Sequence, residues 1–195
     1  MTNPSPLTEF LPHLGLRRQS IIDFEAWLAD HTAWRTSPAS TRYHLNHEGG
    51  LVEHSVNVTR TLLTLRDALA PDLSPESCVL VAMFHDLGKA GAPGQPYYLP
   101  NPSEWHVRKL NQRYVVNKEL THLDIATRSL FLVAQHVELA DEEAQAIRFH
   151  DGQYIDENRS VAHRECVLTR LVQYADNWAG GVIEGEPASH VSQTA

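Results

Sequence analysis

The chain has 195 residues, enough for one compact domain with a substantial hydrophobic core and short for two. An apolar content of 42% and a charged content of 21% are those of a globular protein and exclude a disordered chain. Sixteen basic residues against 24 acidic ones give a net charge of −8. This argues against broad nucleic-acid binding, because neutralising phosphates requires a basic surface.

Cysteine content and hydropathy indicate the compartment. Cys78 and Cys166 each fall within an apolar helical pattern, so we expect reduced thiols and not a disulfide framework. The first residues lack a basic region followed by an apolar run, and no stretch approaches the roughly 20 apolar residues that cross a membrane. The sequence therefore predicts a cytoplasmic protein without a membrane partner, and it leaves the oligomeric state open.

The N-terminal part of the chain contains three prolines and one glycine within residues 1–18, which predicts an irregular arm. Apolar residues then recur at helical spacing from Ser20 to Ala33 and predict a short helix, which Pro38 closes off. We expect residues 1–37 to form this arm and helix, residues 38–184 the main domain, and residues 185–195 a flexible tail.

Two helices are predicted at the start of the main domain. The apolar pattern from Leu51 to Leu69 predicts a long helix with His54 in its first turns. Ser74 followed by proline is an N-cap signature, and the helix that it opens runs to His85-Asp86, with a glycine stop at Gly88. The apolar run thus ends in an imidazole and a carboxylate, both ligands for zinc, iron or manganese.

Residues 90–118 differ, because glycines and prolines forbid a long helix while tyrosines and valines favour extended segments. We predict a long loop or a short β-hairpin that folds over the mouth of the site. Helices resume from His122 to Val137, from Asp141 to the neighbourhood of His150, and over 167–178, ending near Gly180-Gly181. The fold prediction is a single all-α domain.

Six side chains are candidate metal ligands because each lies at the start or end of a predicted helix or on an apolar helical face. They are His54, His85, Asp86, His122, His150 and Asp176. Helix ends converge readily in helical domains, where sites between helices are common. Asp176 interrupts the apolar pattern of the last helix, where a buried carboxylate is costly unless it is paired or bound to a metal.

The order of these residues resembles the HD-domain superfamily of metal-dependent phosphohydrolases. His85-Asp86-Leu87-Gly88-Lys89 is similar to its His-Asp-x-Gly-Lys element, and Gly49-Gly50-Leu51-Val52-Glu53-His54 to the Gly-Gly-Leu-x-x-His segment of one branch. That branch includes an HD domain of bacterial 3′–5′ exoribonucleases and small phage and prophage proteins. The phage proteins also have an Ala-Ile-x-x-His segment, similar to residues 146–150. The resemblance covers residues 38–184.

The resemblance implies a core of about five helices around two divalent metal ions. His54, His85, Asp86 and Asp176 match the ligands of the first ion. His122 and His150 match the extra histidines of two-metal members, in which the aspartate of the His-Asp pair bridges both ions. The metals implied are Mn, Fe, Co, Ni or Zn, with Mg as a further possibility.

The implied reaction is metal-assisted hydrolysis, in which an activated water attacks phosphorus. Asp86 and Lys89 are the candidate catalytic residues, and Lys89 and His47 the candidate contacts to substrate. The acidic composition favours a small phosphorylated substrate over a polymer, and a nucleotide is the first candidate.

Two alternatives stay open on the same residues. The ligand set is also that of HD-type di-iron oxygenases, which resemble myo-inositol oxygenase and activate O₂. A nucleotide-sensing binding module with little turnover is the other.

Overall fold

Seven α-helices carry the fold of residues 4–185, the part of the chain that the computed structural model describes. They are α1 (Arg18–His31), α2 (Gly50–Leu69), α3 (Pro75–Phe84), α4 (Glu104–Leu110), α5 (Ile125–Ala134), α6 (Asp141–Arg148) and α7 (Val167–Trp178). Short 3-10 helices span Thr8–His13, Leu87–Ala90, Gly152–Tyr154 and Asp156–Val161, and a π-helix spans Ala179–Ile183. The all-α prediction is confirmed. Of the predicted tail, residues 186–195 lie outside the described part of the chain.

Helix α3 is the centre of the core. All seven residues from Cys78 to Phe84 are fully buried, which explains why this helix is apolar on every side and shows no amphipathic stripe. It packs against α2, α6 and α7. Ser74 caps its N-terminus by accepting the Ser77 backbone N–H at 3.3 Å, as the sequence indicates.

The predicted hairpin is present in the segment after α3. Strands β1 (Tyr98–Pro100) and β2 (Tyr114–Val116) pair antiparallel, with Leu99 opposite Val115. Helix α4 lies between them, which the sequence analysis did not predict. Ser103 opens this helix by accepting the backbone N–H of His106 at 3.3 Å, and Asn111 ends it in a left-handed conformation.

The helix predicted from His122 to Val137 was wrong at both ends, since α5 spans Ile125–Ala134. Helix α5 begins at Ile125 and not at His122, because the Asp124 carboxylate accepts the Thr127 backbone N–H at 2.8 Å and fixes the cap there. Helix α7 ends at Trp178, close to the predicted end, but the helical path does not stop at Gly180-Gly181. The chain continues through both glycines as a π-helix, in which the Glu184 N–H donates to the Ala179 carbonyl at 2.9 Å.

The N-terminal arm is anchored by Arg17. Its guanidinium donates to Glu143 of α6 at 2.6 and 2.7 Å and to Glu76 of α3 at 3.0 Å. Apolar residues of the arm, Leu7 and Phe10 among them, belong to the same core as α3. None of the helices within residues 4–185 combines the length and the apolarity that crossing a membrane requires.

Candidate metal centre

Four helices bring five of the six predicted ligands together in one cluster. His54 lies in the second turn of α2, and His85 and Asp86 directly follow α3. His150 comes two residues after α6, and Asp176 lies in the last turn of α7. Since α2 packs against α3 and α7, and α6 against α7, the ends of these helices meet.

The first group of contacts surrounds the Asp176 carboxylate. Its Oδ1 atom is 3.1 Å from Nε2 of His54 and 3.8 Å from Nε2 of His85. Ligands held about 2.1 Å from one metal ion lie roughly 3 Å from one another. The two imidazoles and this carboxylate are therefore spaced as ligands of a common ion.

Asp86 uses its two oxygens in different directions. Oδ2 lies 3.5 Å from Nε2 of His54 and 3.7 Å from Nε2 of His85, whereas Oδ1 lies 3.4 Å from Nε2 of His150. The Asp86 carboxylate thus faces His54 and His85 with one oxygen and His150 with the other. Ligand atoms of His85, His150 and Asp176 also lie within 4.8 Å of one another, as do those of His54, His85 and Asp86.

Backbone carbonyls orient two of the imidazoles. Nδ1 of His85 contacts the Ala82 carbonyl at 2.7 Å, and Nδ1 of His150 contacts the Ile147 carbonyl at 2.8 Å. A carbonyl accepts only, so Nδ1 carries the proton and Nε2 presents its lone pair to the centre. Nε2 of His54 and of His85 are buried and make no well-directed hydrogen bond within residues 4–185. Buried nitrogens of this kind fit a metal ion.

Glu184 orients the remaining imidazole, and the sequence analysis missed it. Its side chain is 1% exposed, and its two oxygens lie 3.0 and 3.1 Å from Nδ1 of His54. Asn57 donates to the same carboxylate at 3.0 Å, and His44 lies 3.8 Å away. The signal was the spacing: Glu184 is eight residues after Asp176, which places it on the same face of a helix that continues.

The carboxylates control the protonation of these histidines. Burial by itself lowers the pKa of His54, but the carboxylates of Asp176 and Glu184 outweigh it and raise that pKa to about 9. Burial also opposes charge on His150, and contact with Asp86 raises its pKa to about 9. Protons therefore occupy this cluster at neutral pH when it is free of metal, and metal uptake releases them.

Lys89 supplies a cation next to these carboxylates. Its Nζ atom donates to Oδ2 of Asp86, and its side chain is 14% exposed. Burial opposes the charge of the Asp86 carboxylate, and Lys89, with His150 and His85, holds the pKa well below its usual range. Burial raises the pKa of the Tyr98 hydroxyl to about 12, and the positive charge of Lys89 acts in the opposite direction.

Two predicted residues lie away from the cluster. His122 is exposed, shares a cavity wall with Asp151, and joins none of the ligand groups found within residues 4–185. His47 is also exposed, with Nε2 3.5 Å from Glu53. A metal role for His122 and a substrate role for His47 stay predictions.

The structure explains why a glycine occupies position 88 in the His-Asp-x-Gly-Lys element. A Cβ atom at this position would overlap the carbonyl oxygen of Ile125 at the start of α5. The Gly88 N–H also donates to Oγ of Ser129 at 2.8 Å. The turn after Asp86 is therefore pressed directly against α5, which fixes the direction in which Lys89 leaves it.

Comparison with known proteins gives one match. A family model described as HD domain matches residues 51–180, well over half of the chain. The match contains His54, His85, Asp86, His150 and Asp176, and it ends four residues before Glu184. Neither the curated proteins nor the solved structures gave a match.

Proposed function

The chain belongs to the HD-domain family, and on that premise we propose that it is a metal-dependent phosphohydrolase acting on a small phosphorylated molecule, in the first place a nucleotide. The observation that carries the proposal is the convergence of three Nε2 atoms on the carboxylates of Asp86 and Asp176, at distances of 3.1–3.8 Å. A closer kinship with the phage-type and exoribonuclease HD proteins stays a prediction.

The donor set fits divalent transition metals. Imidazole nitrogens with carboxylate oxygens suit Mn, Fe, Co, Ni or Zn, and Mg less well because it prefers oxygen alone. His54, His85, Asp86 and Asp176 would hold one ion. Because Asp86 turns its second oxygen to His150, we infer that it bridges to a second ion, with His122 as a further candidate ligand.

The bound metal would supply a Lewis acid and an activated water for attack on phosphorus. The remaining roles in the reaction would be carried by side chains of this protein. Asp86 positions the centre through both of its oxygens. Lys89, which lies beside the Asp86 carboxylate, would contact a phosphate oxygen of the substrate in the metal-bound protein. His47 is retained as a candidate contact to the substrate.

The electrostatic character of the chain supports a small substrate. A net charge of −8 disfavours broad binding along a nucleic-acid backbone. Lys89, a largely buried cation next to the metal ligands, is instead suited to contact one phosphoryl group of a small substrate.

Metal-dependent phosphate release is the direct test. The full-length protein, purified without added metal, is analysed for bound elements and then assayed with a panel of nucleotides in Mn²⁺, Co²⁺ or Mg²⁺. We expect phosphate release that disappears with a chelator and falls at least about 10³-fold in Asp86→Asn, since a metal contributes several kcal/mol to the transition state.

Asp72→Asn serves as the matched control, because this aspartate is exposed in the turn before α3 and touches none of the candidate ligands. It should behave like the unaltered protein. Tightly bound iron with O₂ consumption and no phosphate release would instead establish the oxygenase alternative. Nucleotide binding without turnover, with metal bound, would establish the sensing module.

A further inference from the structure

A cavity of about 640 Å³ opens beside the metal centre. Tyr97, just before β1, forms one wall, and the segment from Arg148 to Glu157 forms the opposite one. This volume is in the range of pockets that enclose small organic ligands.

The cavity reaches the edge of the metal centre through Asp151. This carboxylate lines the cavity, and its Oδ2 atom is 3.6 Å from Nε2 of His150. A substrate whose phosphate lies at the metal ligands would therefore extend its remaining part into this cavity.

Carboxylates dominate the charged lining. Asp124, Asp151 and Glu157 face the cavity, against the guanidinium of Arg148 and the imidazole of His122. That guanidinium already has partners, since it donates to Asn158 at 3.3 Å and lies 4.0 Å from Asp124.

Two further cations lie nearby, but neither lines the cavity. Arg128 is buried and donates to the Thr121 carbonyl. Lys89 is held on the metal side by Asp86. The carboxylates of the cavity lining are therefore not neutralised by either of these cations.

The uncharged part of the lining is apolar and aromatic. Tyr97 contributes a ring, and Leu123, Ile125 and Ile155 contribute aliphatic surface. Such a wall packs against a flat ring, while the carboxylates accept hydrogen bonds from hydroxyl or amino groups on that ring.

We propose that the cavity selects phosphate monoesters that carry a single phosphate and a ring with hydrogen-bond donors, and that it rejects di- and triphosphates. This rests on the proposed phosphohydrolase function and narrows its substrate class. A second or third phosphate would have to lie among like charges, which is unfavourable in a partly enclosed site.

The balanced reaction is simple hydrolysis of the ester. The oxygen of water forms a new bond to phosphorus, and the bond between phosphorus and the ester oxygen breaks. The alcohol leaves with one proton of the water, and inorganic phosphate is the other product. No oxidant, reductant or further reactant takes part.

The test compares adenosine 5′-monophosphate with adenosine 5′-triphosphate on the full-length protein at a fixed concentration of free Mn²⁺. Products are separated chromatographically, so that any cleaved phosphate bond is detected. We expect kcat/KM for the monophosphate to exceed that for the triphosphate at least tenfold. The double variant Asp124→Asn, Glu157→Gln should reduce this ratio severalfold, mainly by improving the triphosphate.

Asn at position 124 can still cap α5, so the double variant should fold and keep its metal content. Asp72→Asn, remote from the cavity, should leave the ratio unchanged. Equal or faster turnover of the triphosphate, or a ratio that the double variant does not change, overturns the inference but leaves the hydrolase standing. If the metal-loaded protein cleaves neither nucleotide nor any other phosphate ester, the proposed function falls and this inference with it.

Discussion

The Glu184 carboxylate accepts the Nδ1 proton of His54 at 3.0 Å, and this contact joins the segment after α7 to the metal centre. It leaves the His54 Nε2 lone pair directed at Asp176. A carboxylate behind a ligating histidine fixes its ring and makes it a stronger ligand. With the metal site proposed above, Glu184 would be a positioning residue that acts through His54.

Replacing Glu184 with glutamine should weaken metal binding about 10–100-fold, the usual cost of losing such a partner. Competition with a metal-sensitive dye measures the affinity directly, independently of any activity. Glu142→Gln, an exposed position on α6, is the control and should bind metal normally. Unchanged affinity in Glu184→Gln would show that the contact does not support the ligand.

Replacing Lys89 with methionine should separate metal binding from catalysis. The long apolar side chain fills similar space but carries no charge, so the metal ligands keep their carboxylates without a competing cation. We expect metal content to be retained while kcat/KM falls about 10²-fold, as when one preorganised donor to a transition state is lost. Loss of metal together with activity would mean that Lys89 mainly supports the fold of the centre.

Stability should fall in acid through the pair formed by Arg17 and Glu143. Burial opposes ionisation of Glu143, but hydrogen bonds from Arg17 and Ser77 lower the pKa of this carboxyl below its usual value. A lowered pKa in the folded state stabilises the protein above the unfolded value of about 4.3, and this contribution is lost as the pH falls through the folded pKa.

Urea unfolding of Arg17→Met against the unaltered protein measures this contribution. The variant should lose about 2 kcal/mol or more at pH 7, because Glu143 is left buried without its partner, and the difference should shrink towards pH 3. Arg60→Met breaks an exposed pair with Glu9 and should cost about 1 kcal/mol or less. A difference for Arg17→Met that is independent of pH would contradict this assignment.

Replacing Gly88 with alanine should destabilise the protein by about 1–3 kcal/mol, because the added Cβ overlaps the Ile125 carbonyl and displaces the turn that carries Lys89. Gly181→Ala is the matched control, since a Cβ there meets no atom within 4 Å. It should be neutral or stabilising by up to about 1 kcal/mol. Thermal unfolding of both variants with and without metal tests the prediction, and equal behaviour would refute it.

The position of His85 and Asp86 could be predicted from the sequence. A helix that is apolar on all sides must be buried, so two polar residues at its end must lie at the edge of the core. The sequence was a poorer guide to helix boundaries that depend on a side-chain contact. His122 was placed at a helix start that the Asp124 cap sets three residues later. Glu184 was hidden behind two glycines read as a stop, which the chain instead crosses in a π-helical turn.

Helix α3 has a consequence for how metal exchanges. His85 and Asp86 are joined to a helix without any solvent-facing side, so their backbone should open to hydrogen exchange only when the whole protein unfolds. Asp176 and Glu184 instead lie at the edge formed by the end of α7 and the π-helix, where Trp178 and Val182 are exposed. We therefore expect a metal ion to enter and leave through local opening of this edge. The rate of metal exchange would then depend on the local stability of the end of α7 and the π-helix.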